Sequence, residues 1–184
     1  MKKGIRVLAI DDSPFSKGDR DALIVGVIGR ADGDVEGVVS SHVAIDGTDA
    51  TKKIVAMVRG SRFSGQVKLI ALHGIALVGL NVVDIIGIGR ELKMPVVIVV
   101  RKKPHEKKLA NAIRLSGNGV ARKLSALKDI RENSELVRRN GFYLRYAGMT
   151  KKEVAEVQDS AARFLRLAHI IASGVAGGES KGRI

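Results

Sequence analysis

LIALHGIAL (residues 69–77) holds four apolar residues, then one histidine, one glycine and apolar sequence again. With the residues before it, QVKLIALH (66–73) reads as a buried strand. A histidine at the carboxyl end of such a strand stands where α/β sheets collect their ligands. A lone histidine there also serves as a hydrogen-bonded core residue, so His73 needs partners before it means chemistry.

Working outward, LNVVDIIGIGRELK (80–93) predicts a helix, although each of its glycines costs it about 1 kcal/mol. Pro95 then introduces VVIVV (96–100), apolar at every position as in a strand covered on both faces. Upstream, DATKKIVAMVRG (49–60) has helical spacing of Ile54, Val55, Met57 and Val58, with Thr48 or Asp49 as N-cap. ALIVGVIGR (22–30) and VEGVVSSHVAI (35–45) flank the turn-rich ADGD and predict a hairpin. IRVLAID (5–11) supplies the first strand. Three strands, helix, strand, helix, strand gives an α/β fold: a mixed sheet with helices on its faces.

Beyond residue 104 the pattern is mainly helical. HEKKLANAIRL (105–115) and VARKLSALKDI (120–130) are basic and amphipathic, and residues 141–147 predict a short strand. Thr150 and Glu153 form a capping box ahead of a long helix ending near Ala172. The expected organisation is one domain, with a core at about 5–104, an extension over 105–173 and a fraying tail over 174–184.

The 184 residues are 45% hydrophobic, enough for a sizeable core, and include no cysteine, which excludes disulfides and thiolate metal sites. Apolar runs stop well short of the ~18–20 residues of a membrane span. The first one ends at Asp11 and Asp12, which does not suit a secretory signal, so a cytoplasmic location is expected. Net charge is +13 and uneven: residues 1–100 carry 13 basic and 11 acidic side chains, residues 101–184 carry 19 and 8. A surplus held in one half suits a polyanion-facing surface, and equally a solubility surface. At 3% aromatics, phosphate contact must outweigh base stacking.

Several constellations bear on chemistry. Asp11 and Asp12 end the first strand, where two carboxylates are costly to bury unpaired. A divalent cation relieves that cost, and so does a turn that one of them caps. Asp46 and Asp49 read as a turn and a helix cap. Arg101, Lys102 and Lys103 follow VVIVV and offer a phosphate site or a solvated charge run. His42, His105 and His169 show no zinc-ligand spacing, and no P-loop is present.

Taken together, VLAIDDSPF, the hairpin, AIDGTDATKKIV and LIALHGIALVGLNVVDIIGIGRELKMPVVIVVRKKP resemble an uncharacterised, mainly archaeal protein family that is distantly similar to endonuclease V. The resemblance covers roughly residues 5–104. It implies a ribonuclease-H-like fold with a mixed five-stranded sheet whose first three strands are antiparallel. It also implies cleavage near deaminated bases with Mg²⁺ held by three carboxylates. Carried over, the first-strand aspartate falls on Asp11 or Asp12, and the second aspartate falls on His73. The helix glutamate falls on or near Lys53, with no Glu between Glu36 and Glu91, and the lysine after the fifth strand falls on Arg101 or Lys102.

These changes predict a nucleic-acid-binding protein on an endonuclease-V-like scaffold with a degenerate metal site. Lys53, Arg101, Lys102 and Lys103 are the phosphate candidates, for DNA or RNA. The alternatives are a metal-dependent endonuclease or phosphodiesterase with an altered site, and a module for a small phosphorylated ligand or a protein. For catalysis, and for one Mg²⁺ or Mn²⁺, the candidates are Asp11, Asp12 and His73. No membrane partner is expected, and a homo-oligomer is compatible with the sequence.

Overall fold

A computed structural model of the chain describes residues 4–180. The chain forms β1 (Arg6–Asp12), β2 (Asp21–Arg30), β3 (Val35–Ala44), α1 (Ala50–Gly60), β4 (Val67–Leu72), β5 (Ala76–Leu77) and β6 (Asn81–Val82). It continues through α2 (Ile85–Leu92), β7 (Val96–Val100), α3 (Glu106–Leu115), α4 (Val120–Asn133), β8 (Glu135–Arg139), β9 (Phe142–Ala147) and α5 (Lys151–Gly177). The main sheet has the order β3-β2-β1-β4-β7-β9-β8, and β5 and β6 form a small separate hairpin.

The first three strands are antiparallel, and β1, β4 and β7 run parallel, as expected. The sheet has seven strands, however, not five. The hairpin β8–β9 lies within the extension and pairs antiparallel with β7. Phe142–Ala147 was legible as a strand because Leu144 and Tyr146 alternate into the core. ELVRR, by contrast, is mostly exposed, and its charges guard the sheet edge against further pairing.

Strand alternation divides the core in two. Leu8, Ile10, Ile70, Leu72 and Ile98 face α1 to α4. Val7, Ala9, Leu69, Ala71, Val97 and Val99 face α5 through Val157, Ala161, Phe164, Leu165 and Ala168. Gly29 lets α5 lie close, since a Cβ there would stand 2.5 Å from the Phe164 ring.

Helix limits depart from expectation in two places. The helix expected over 80–93 begins only at Ile85, because Asn81 and Val82 pair with β5 and Asp84 caps Gly87 N–H at 2.8 Å. The last helix carries the expected capping box and runs on to Gly177, past Ala172. Part of the expected tail, residues 181–184, lies outside the described residues.

Candidate active site

The parallel register of β1 and β4 builds the centre of the site. Val7 lies beside Leu69 and Ala9 beside Ala71, so one further step brings Asp11 beside His73 on the α5 face. His73 Nδ1–H donates to Asp11 Oδ2 at 3.1 Å. Directly after it, Gly74 turns the chain with φ of +134°, a region that favours glycine.

A third residue completes the cluster. His169 of α5 also donates from Nδ1 to Asp11 Oδ2, at 3.1 Å. The two imidazole rings stand edge to face, with centroids 6.4 Å apart. Asp11 Oδ1 accepts the Asp12 N–H at 2.9 Å. The Asp11 side chain is only 2% exposed, whereas each imidazole is 28% exposed, so the cluster meets solvent through its histidines.

Asp12 turns the other way, and its Oδ2 accepts the Val78 N–H at 2.6 Å. Burial raises its carboxyl from 3.8 to about 6; the Val78 bond opposes this and the Asp11 carboxylate adds to it. His73 is also raised, chiefly by its hydrogen bond to Asp11, with burial opposing.

Two cavities meet at His73. The smaller, about 240 Å³, runs between the sheet and α5 and carries Arg101, Arg163 and Arg166 on its walls. Arg101 packs over the Phe142 ring at 5.5 Å, and Arg163 over Phe164 at 4.9 Å. The larger, about 440 Å³, is lined mainly by Ile75, Ala76, Ile98, Val100 and Leu109, with Lys102, His105 and Glu106 among its polar groups.

Asp11, His73, Arg101 and Lys102 therefore gather at one sheet edge. Lys53 and Lys103 are exposed and border neither cavity. Asp46 and Asp49 are structural: Asp46 Oδ1 accepts Leu80 N–H, and Asp49 Oδ1 accepts Asn81 Nδ2–H. Asp49 is the N-cap of α1, but its side chain makes no cap bond. The residues missed from sequence are Arg163, Arg166 and His169. Their shared signal is the spacing R-x-x-R-x-x-H, which puts three basic groups along one border of a helix whose Phe164, Leu165 and Ala168 are buried.

The donor set does not suit a pair of divalent cations. Asp11 Oδ2 is held by both imidazoles, its Oδ1 by Asp12 N–H, and Asp12 Oδ2 by Val78 N–H. The resemblance implies a glutamate on or near Lys53, and α1 holds no carboxylate there. Among the described residues no three acidic or histidine side chains converge as metal ligands. No helix among them is long and apolar enough to cross a membrane.

Comparison with known proteins places the chain in a family. A UPF0215 protein of Methanothermobacter thermautotrophicus is 35% identical over 189 residues, spanning 99% of this chain and 93% of the relative. The crystal structure of a protein of unknown function from Archaeoglobus fulgidus, 36% identical, superposes with a TM-score of 0.82 over 93% of this chain and 98% of that one. Human endonuclease V is similar in fold alone, at 14% identity and a TM-score of 0.51 over 92% of this chain and 83% of that one. The family model for endonuclease dU matches residues 3–176, and the chain belongs to that family.

Proposed function

We propose that the protein binds DNA and hydrolyses a phosphodiester bond at deoxyuridine. Its core strands would serve as a ribonuclease-H-like scaffold. The observation that carries this reading is the arginine-walled groove that ends on His73, which shares Asp11 Oδ2 with His169. Arg101, Arg163 and Arg166 suit successive backbone phosphates, because guanidinium groups match phosphate oxygens bidentately. The neighbouring cavity of about 440 Å³ suits a pyrimidine turned out of the duplex, with Lys102 and Glu106 as polar contacts. The family's name joins strand cleavage to dU, which agrees with both features. Such an activity belongs with the nucleic acid in the cytoplasm.

A second reading, binding without cleavage on a degenerate metal site, draws support from the burial of Asp11 and from the lack of any glutamate in α1. One experiment separates the two. Labelled duplexes and single strands, with and without one deoxyuridine, are titrated by anisotropy from low to high salt and then run on denaturing gels. The proposal expects affinity that falls steeply with salt and a cut beside deoxyuridine. Salt-dependent binding with intact strands leaves the binding-only reading. Neither binding nor cutting overturns both.

A further inference from the structure

We propose that Glu106 selects uracil: its free oxygen accepts the N3–H of the base, and Arg145 holds the carboxylate in place. The inference rests on the deoxyuridine reading above and assigns base selection to one residue and the group that positions it.

The carboxylate belongs to a built wall. Ile98 of β7 lines the cavity of about 440 Å³, and Arg145 of β9 is its register partner, so both side chains rise from the same face of the sheet. Arg145 is only 5% exposed. One terminal nitrogen of its guanidinium donates to Glu106 Oε1, and the other donates to Ser134 Oγ at 3.1 Å. Glu106 opens α3 and lines the same cavity. A buried guanidinium needs a counter-charge, and among the described residues Glu106 is the one carboxylate bonded to it. That bond takes Oε1 and fixes the side chain, while Oε2 has no hydrogen-bond partner among the described residues.

The chemistry of the wall points to one base edge. Arg101 and Lys102 are donors only, and an imidazole such as His105 both gives and accepts. Glu106 is the one carboxylate of the lining, and an ionised carboxylate accepts only. The rest of the wall is mainly apolar, so a base inside it must find its partners among these groups. Uracil presents O2 and O4 as acceptors on either side of one donor, N3–H. Cationic donors and one carboxylate complete that edge. Cytosine carries a lone pair at N3, which would face the Glu106 oxygen with no proton between them. It also brings two N–H bonds at N4 to a wall made mostly of donors. Deamination turns N3 from an acceptor into a donor, and that is the change Glu106 reads.

The test uses the full chain and labelled single strands that carry one deoxyuridine, one deoxycytidine or one N3-methyl-deoxyuridine. Anisotropy gives affinity, denaturing gels follow cutting and thermal melts confirm folding. The proposal expects the wild type to favour deoxyuridine over both other bases by about 10–100-fold. Glu106→Gln should bring deoxycytidine to within about threefold of deoxyuridine, because the amide can turn an N–H to the N3 lone pair. Glu106→Asp withdraws the carboxylate by one methylene and should also lose the preference, which keeps the test open should the glutamine form unfold. Arg145→Lys keeps the charge but not the fork, and should lower the preference partway. A merely structural role would lower the melting temperature and leave the ratio of the two affinities unmoved. Cutting at deoxyuridine with the preference intact in both Glu106 variants overturns the assignment and leaves the endonuclease reading standing. So does equal affinity for deoxyuridine and its N3-methyl form. A wild type that neither prefers nor cuts deoxyuridine overturns both.

Discussion

Asp11 and His169 are 158 positions apart in the chain, yet His169 Nδ1 lies 3.1 Å from Asp11 Oδ2. The contact ties the last helix to the first strand. The same oxygen holds His73, so one carboxylate orients a ring from each side. In Asp11→Asn the anion is lost, and the His73 value, raised chiefly by that bond, should fall. Proton titration of the histidine ring signals by NMR checks it. The raised value also stabilises the fold. That contribution is fully present below the unfolded value of 6.5 and is lost as pH rises through the folded one. Urea melts across that window should show this pH-dependent part in the wild type and not in Asp11→Asn.

Asp12 shifts in the same direction, over a lower pH range and for a different cause. Its carboxyl stands at about 6 against an ordinary 3.8, because burial disfavours the charged form. The folded state binds this proton more tightly than the unfolded state, so stability falls as pH rises from 3.8 through 6. Asp12→Asn removes the charge and still offers an acceptor to Val78 N–H. The variant should exceed wild type in stability above pH 6 by on the order of 2 kcal/mol, and match it below pH 4. Denaturant melts at the two pH values decide this.

The contrast between His73 and His169 shows what sequence carries. His73 was legible because it ends an apolar strand whose parallel register with β1 follows from the order of elements. His169 sits mid-helix, and its role depends on where α5 lands on the sheet, a tertiary fact that spacing alone does not state. The same limit hid β8. ELVRR has only Leu136 and Val137 as apolar residues, and it is a strand because β9 offers it an edge. Arg101 was read from its place after VVIVV, whereas its groove needs Arg163 and Arg166 from the far side. Lys53 was placed by resemblance to a helix position, but the exposed face of α1 carries it away from both cavities.

Arg101 and Arg166 face one groove from two elements, β7's end and α5. Each is exposed, so removal should leave the fold intact. Arg101→Ala and Arg166→Ala should each weaken nucleic-acid binding and reduce the slope of log affinity against log salt by about 1. Lys53→Ala, outside the groove, should change neither. Anisotropy titrations at four salt concentrations distinguish these outcomes.

The position of His169 depends in turn on how close α5 approaches β2. A Cβ on Gly29 would meet Phe164 Cζ at 2.5 Å and Asp34 O at 2.9 Å. Phe164 is 1% exposed and belongs to the core between α5 and the sheet, so it has little room to yield. Gly29→Val should therefore cost about 1–3 kcal/mol by overpacking. Phe164→Ala alone should cost about 3–5 kcal/mol by opening a cavity. In the double variant the new valine occupies part of the space the ring leaves, so the two losses should sum to less than their separate values. Denaturant melts of the four proteins measure that coupling. An additive result would mean that Phe164 yields freely, and that glycine at position 29 does not set the approach of α5 to the sheet.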